Sequence, residues 1–182
     1  NMNFVSSIVS KSDIHQSAIL TAMKISDNYK TDYFLAEYST QSKLTEWRKA
    51  ILAMKRLVTK QFGVDLRKAE IHDASGISRS NLLTVNQISD FLSAASKSKN
   101  FNTIKSLMSC PGDECTLQDR FKGVPDLYTK TGTLRHVSSL IGYFKDKSGV
   151  QHSFVIMANN FYPYNKPYRD LEEEIVRFFI ER

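Results

Sequence analysis

Two short strings in this chain hold side chains suited to moving a proton and gripping a polar substrate: Ser26-Asp27-Asn28 and Lys130-Thr131-Gly132-Thr133. The hydroxyl of Ser26 both donates and accepts, which a proton relay requires. The amide of Asn28 also donates and accepts, so it can hold a substrate amide. Lys130 brings a positive charge that favours the charged forms of its neighbours. The segment from Leu127 to Phe144 is rich in Thr, Val, Ile, Tyr and Leu and reads as a strand. On a strand, Lys130 and Gly132 point to one face, and Thr131 and Thr133 to the other. Gly132 leaves room where another layer approaches closely. Each string alone has a plainer reading. Ser, Asp and Asn favour turns between helices, and a glycine in a strand marks a bulge.

Order and context narrow the reading. Ser26-Asp27-Asn28 comes first, and the lysine string opens the longer run KTGTLRHVSSLIGYF. That run resembles the D-alanyl-D-alanine carboxypeptidase/endopeptidase class of penicillin-binding proteins, serine enzymes with Ser-x-Asn and Lys-Thr-Gly motifs. Between the two strings, DASGISRSNL at 73–82 is similar to that family's Asp-x-Ser-Gly-Leu-Ser-Arg-x-Asn segment, with Ala74 in place of the usual Gly. The resemblance runs from about residue 15 to the end of the chain.

The resemblance implies acyl transfer without metal or cofactor. A serine attacks the carbonyl between two D-alanines or a cross-link between peptide stems, and water later releases the acyl-enzyme. The substrates are peptidoglycan stem peptides, and β-lactams bind the intact enzyme. Ser26 then relays the proton to the leaving amine, helped by Lys130, and Asn28 holds a substrate amide. Asp27 faces away. Thr131 takes the terminal carboxylate, and the backbone N–H of Thr133 is the second oxyanion donor. If the strand is an edge, the peptide adds beside it as a further strand. Ser75 and Arg79 brace the two lobes. The location implied is periplasmic or otherwise extracytoplasmic.

The family's nucleophile is the Ser of a Ser-x-x-Lys motif that precedes Ser-x-Asn. No such motif precedes Ser26; the one match is Ser96-Lys97-Ser98-Lys99, in a polar run at a helix end. A nucleophile needs a fixed setting beside its base, so this run reads as a solvated helix end. The simplest expectation is a C-terminal part of a longer enzyme, with the nucleophile not in this chain and the missing N-terminal part as its partner. Two alternatives stand beside it. A class A β-lactamase uses the same motifs, but segment 64–70 shows no convincing match to its glutamate loop. A non-catalytic penicillin-sensor domain accommodates the missing nucleophile.

Composition fits one globular domain with its own core. The formal charge of +6 is spread over many segments with no nucleic-acid motif, so it reads as a solvated surface. No run is apolar enough to span a bilayer as a helix. Cys110 and Cys115 flank Pro-Gly-Asp-Glu and lack zinc spacing; in an oxidising compartment they are expected to form a local disulfide.

The elements that must position these groups follow from periodicity. Helices are expected over 17–25, 29–38, 44–62, 84–96, 101–108 and 168–180. The 44–62 helix has Trp47, Ile51, Met54, Leu57, Val58 and Phe62 at helical spacing, with Gly63 as its stop. Thr84 and Gln87 form a capping-box pattern. A short strand at 69–71 leads into the DASGISRSN loop. Two strands, 128–145 and 151–161, are joined by a turn at 146–149. The fold expected is α+β: an antiparallel sheet flanked by helices plus an all-helical lobe, the penicillin-recognising serine enzyme fold in incomplete form. Residues 12–126 make the mainly helical part, and 127–182 the strands and closing helix.

Overall fold

The computed structural model describes residues 13–112, 115–162 and 164–182. Among these, six helices and one three-stranded sheet are formed. Helices α1 (Asp13–Lys24), α2 (Asn28–Gln41), α3 (Trp47–Phe62), α4 (Val85–Ser96) and α5 (Phe101–Ser106) come first. Strands β1 (Tyr128–Leu134), β2 (Val137–Lys145) and β3 (Gln151–Asn159) follow, and α6 (Lys166–Ile180) closes the chain.

Local chemistry sets the helix ends. Thr84 accepts from the Gln87 N–H at 3.2 Å, and the Gln87 side chain accepts from the Thr84 N–H at 2.9 Å, completing the capping box of α4. Gly63, at φ 71°, ends α3 in the left-handed region. This helix starts at Trp47, later than its apolar pattern suggests. The Leu44 N–H is committed to Ser39 O at 2.9 Å, closing α2, and Lys43 has φ 53°.

The sheet order is β1-β2-β3, antiparallel throughout. The single long strand expected over 128–145 is in fact two. Arg135 and His136 form a tight turn between them, with Leu134 opposite Val137 and His136 at φ 63°. Such turns usually carry Gly or Asn. This one has neither, so the Thr- and Val-rich pattern runs on through it unbroken. The strand expected at 69–71 is a single bridge, Glu70 opposite Leu82.

Alternation along β2 separates two packing faces. Leu140 and Phe144 join Leu117, Phe121, Leu127 and Val176 in a core beneath α6. Tyr143 turns to the other face with Leu92 and Met108, and its hydroxyl donates to Leu92 O at 2.8 Å. Thus α4, though part of the helical run in sequence, packs on the sheet. Farther out, Leu35 of α2 packs on Ala50 and Ile51 of α3. Behind β2, the buried carboxylate of Glu172 on α6 accepts from Ser138 Oγ at 2.7 Å and from Arg120 at 3.0 Å.

The expected disulfide is not present: Cys110 and Cys115 are both thiols. The Cys115 Sγ donates to Cys110 O and accepts from the Leu117 N–H, both at 3.3 Å. The loop is therefore closed by hydrogen bonds to backbone. Asp113 and Glu114 between the cysteines lie outside the described residues.

Candidate active site

Ser26 occupies the two-residue corner, Ile25-Ser26, between α1 and the cap of α2. The Ile25 N–H still bonds back to Thr21 O at 3.1 Å, and Ser26 then takes φ 58°. A left-handed residue other than Gly costs about 1–2 kcal/mol, so its surroundings must hold it. Asp27 does part of this as the N-cap of α2. It accepts from the Lys30 N–H at 3.0 Å and pairs with Lys30 Nζ at 2.6 Å. The side-chain bond from Lys30 holds the Asp27 carboxyl below its usual range. On the other side, the carbonyl of Lys24 accepts from Ser109 Oγ at 2.9 Å and from the Thr116 N–H at 3.3 Å.

Lys130 reaches this corner from β1, and its ammonium donates to the hydroxyl of Ser26. It also lies 3.3 Å from Thr131 O. Lys130 pairs with Ile141 in the sheet register, which places it on the face turned towards α4 and α5. Burial pushes its ammonium below the ordinary lysine value. The site thus joins two residues 104 positions apart.

The backbone of β1 presents an edge beside this pair. Thr129 exchanges both of its backbone bonds with Ser109, at 2.9 and 2.8 Å, on the side away from β2. Hydrogen-bond direction alternates along an antiparallel strand. The backbone groups of Thr131 and Thr133 therefore point to that same outer side, past the end of the Ser109 bridge. The N–H of Thr133 is thus an outward-facing donor, and a peptide laid along this edge has bonding groups to meet.

Gly132 has a different neighbour from the one expected. A Cβ there would lie 2.5 Å from Ser139 Oγ, on the paired strand rather than on another layer. The tighter glycine is Gly142, where a Cβ would overlap the Tyr128 carbonyl oxygen and sit 2.9 Å from Thr129 Cα.

Asn28 is the first residue of α2, exposed and next to the corner. Ile25, next to Ser26, and Tyr29, in the first turn of α2, are 53% and 85% exposed. The DASGISRSN segment joins the parts. The carboxylate of Asp32 on α2 accepts from the N–H groups of Ala74 and Ser75, at 2.9 and 3.1 Å. The guanidinium of Arg79 donates to Arg135 O in the β1–β2 turn at 2.5 Å. The Ser96 hydroxyl donates to Ser93 O at 2.8 Å within its own helix, and Lys99 is exposed.

Residues 8–181 match the D-Ala-D-Ala carboxypeptidase 3 (S13) family. The chain belongs to that family. A search of curated proteins returns no match. Among solved structures, the chain is similar to penicillin binding protein 4 (dacB) from Haemophilus influenzae. The TM-score is 0.81 at 22% identity, over 92% of this chain and 40% of that one. The same protein complexed with a novel β-lactam gives 0.82 at 21% identity, over 92% and 42%. A predatory endopeptidase from Bdellovibrio bacteriovorus gives 0.68 at 17% identity, over 89% and 44%. These likenesses show a shared fold. The chain spans less than half the length of each.

For this S13 chain, sequence reading missed Ser109 and Thr116, which hold the Ser26 corner, and Asp32, which ties α2 to the DASGISRSN segment. Ser109 is fully buried. Its bond to Lys24 spans 85 positions, and Asp32 meets Ala74 across 42. Single serines and aspartates at such distances carry no periodicity or spacing that would mark them.

Proposed function

We propose that this chain carries the proton-relay and substrate-anchoring part of a serine D-alanyl-D-alanine carboxypeptidase/endopeptidase acting on peptidoglycan stem peptides outside the cytoplasm. The observation that carries this reading is the Lys130–Ser26 contact beside the open Thr131–Thr133 edge. In this reading the attacking serine comes from a Ser-x-x-Lys segment outside this sequence. Its oxygen bonds to the carbonyl carbon between two D-alanines while its proton passes to the lysine of that same segment, which resupplies the Ser26 hydroxyl, and the oxyanion accepts a hydrogen bond from the N–H of Thr133. Ser26, held by Lys130, passes a proton to the leaving amine as the peptide bond breaks. Lys130 and Thr131 face the terminal carboxylate, and Asn28 holds the preceding amide. Acyl-enzyme chemistry of this kind accounts for β-lactam binding as well.

The test uses the protein encoded together with any segment upstream of Asn1. A Ser-x-x-Lys there supports the enzyme. In that protein, Ser26→Ala and Lys130→Ala are each expected to slow D-alanine release by about 100-fold or more, and wild-type rates in both would remove the reading. A penicillin-sensor domain is the competing reading. Absence of that motif upstream, with β-lactam binding that stays non-covalent, would select it.

A further inference from the structure

The cations of α3 are not evenly spread. The helix WRKAILAMKRLVTKQF carries Arg48, Lys49, Lys55, Arg56 and Lys60 and no acidic residue. Arg48, Leu52, Arg56 and Lys60 recur every fourth position, so they form one exposed row. Between this row and segment 64–72 run two grooves of about 450 and 440 Å³ that share Leu52 and Lys55. Ile51, Leu66 and Ile71 give them an apolar floor. Trp47 stands at one end, and Lys60 and Arg67 at the other.

The charges in this groove are only partly answered. Arg67 is held by Asp65 at 2.7 Å, and Lys55 Nζ donates to Ala69 O at 2.6 Å. Glu70 is the one carboxylate lining the grooves, at the Trp47 end. Arg48, Arg56 and Lys60 make no hydrogen bond or ion pair with a described residue. Arg56 and Lys60 repel each other at i,i+4 spacing, and a bound anion would relieve that repulsion.

We infer that this groove binds an extended acidic peptide segment with interspersed apolar side chains. Spacing favours that occupant. Residues four apart on a helix lie about 6 Å apart along its axis. Alternate side chains of an extended peptide lie about 6.6 Å apart. Carboxylates at alternate positions thus meet Arg48, Arg56 and Lys60 in turn, with an apolar side chain over Leu52. A bare polyanion leaves the apolar floor unused. A bilayer surface does not enter a concave groove. The inference is independent of the catalytic reading, because the row lies on α3 and includes none of the residues placed at the Ser26 corner.

The chain has a built-in reporter, since Trp47 is its one tryptophan and lines the groove. The probe is the heptapeptide acetyl-Glu-Ser-Leu-Ser-Glu-Ser-Glu-amide. Titrated into the chain at low salt, it is expected to change Trp47 emission saturably, and the affinity should fall as salt rises. The charge-reversed double variant Arg56→Glu/Lys60→Glu should weaken binding at least tenfold, and Arg56→Gln/Lys60→Gln less. Both variants should keep the wild-type melting temperature within a few degrees, because both residues are exposed. The inference is overturned by equal binding of the same peptide with Lys for Glu, or by unchanged affinity in the charge-reversed variant. It is equally overturned if polyphosphate or phosphatidylglycerol vesicles bind more tightly than the peptide.

Discussion

Lys130 is the residue on which the site turns, and it is held there at a cost. Burial disfavours its charged form, so its folded-state pKa lies below the ordinary 10.5. Below that depressed value both folded and unfolded chains are protonated, and the folded state bears the full penalty. Between it and 10.5 the unfolded chain holds more protons, so stability rises with pH through that window. Lys130→Met is therefore expected to melt no lower than wild type at neutral pH and to lose this alkaline rise. Thermal unfolding followed from pH 7 to 10.5 measures both, and a melting temperature several degrees lower at neutral pH would show that the lysine stabilises the fold. Gly142 belongs at this scale too. Its Cβ position is filled by the backbone of β1. Gly142→Ala is expected to cost about 1–3 kcal/mol, read from urea unfolding, and to displace the strand that carries Lys130.

At the scale of elements, α6 is the clamp behind the sheet. Val176 enters the apolar core, while Glu172 ties Ser138 of β2 to Arg120. Glu173 adds a bond from the Phe121 N–H at 3.0 Å. Ser138 is paired with Thr133, so this buried network sits directly behind the strand end that presents the candidate oxyanion donor. Removing one partner of a buried ion pair leaves the other uncompensated, at about 3–5 kcal/mol. Glu172→Ala is expected to lose that amount in urea unfolding, and the paired apolar replacement Glu172→Leu/Arg120→Met distinctly less. Equal losses in both would show that packing, not the charge pair, is what α6 supplies.

For the whole molecule, the arrangement joins a corner of the helical part to the outer strand of the sheet through Lys130 and Ser26. Ser26 answers to Lys130, Ser96 is tied to its own helix, and no Ser-x-x-Lys precedes Ser26. This chain alone is thus expected to form no stable covalent adduct with benzylpenicillin. Intact-mass measurement after incubation tests this directly. An adduct on Ser96 would overturn the reading of that segment as a helix end.

Much of this was legible from residue types. Helix α3 follows from apolar spacing and Gly63, and α4 from Thr84 and Gln87, because these signals act within one or two turns of chain. The two strings that make the site were equally visible, since their chemistry resides in consecutive residues. The turn at Arg135-His136 was not legible, because no residue there marks a left-handed position. The state of the cysteines was not legible either, because spacing alone does not say which way the Cys115 sulfur turns. Tertiary structure decided the contacts that make a site out of strings: Lys130 with Ser26, Ser109 with Lys24, Arg79 with the turn. Each spans more than 50 positions. Local sequence dictates local backbone, whereas the pairing of distant polar groups is set by which faces the core leaves them on.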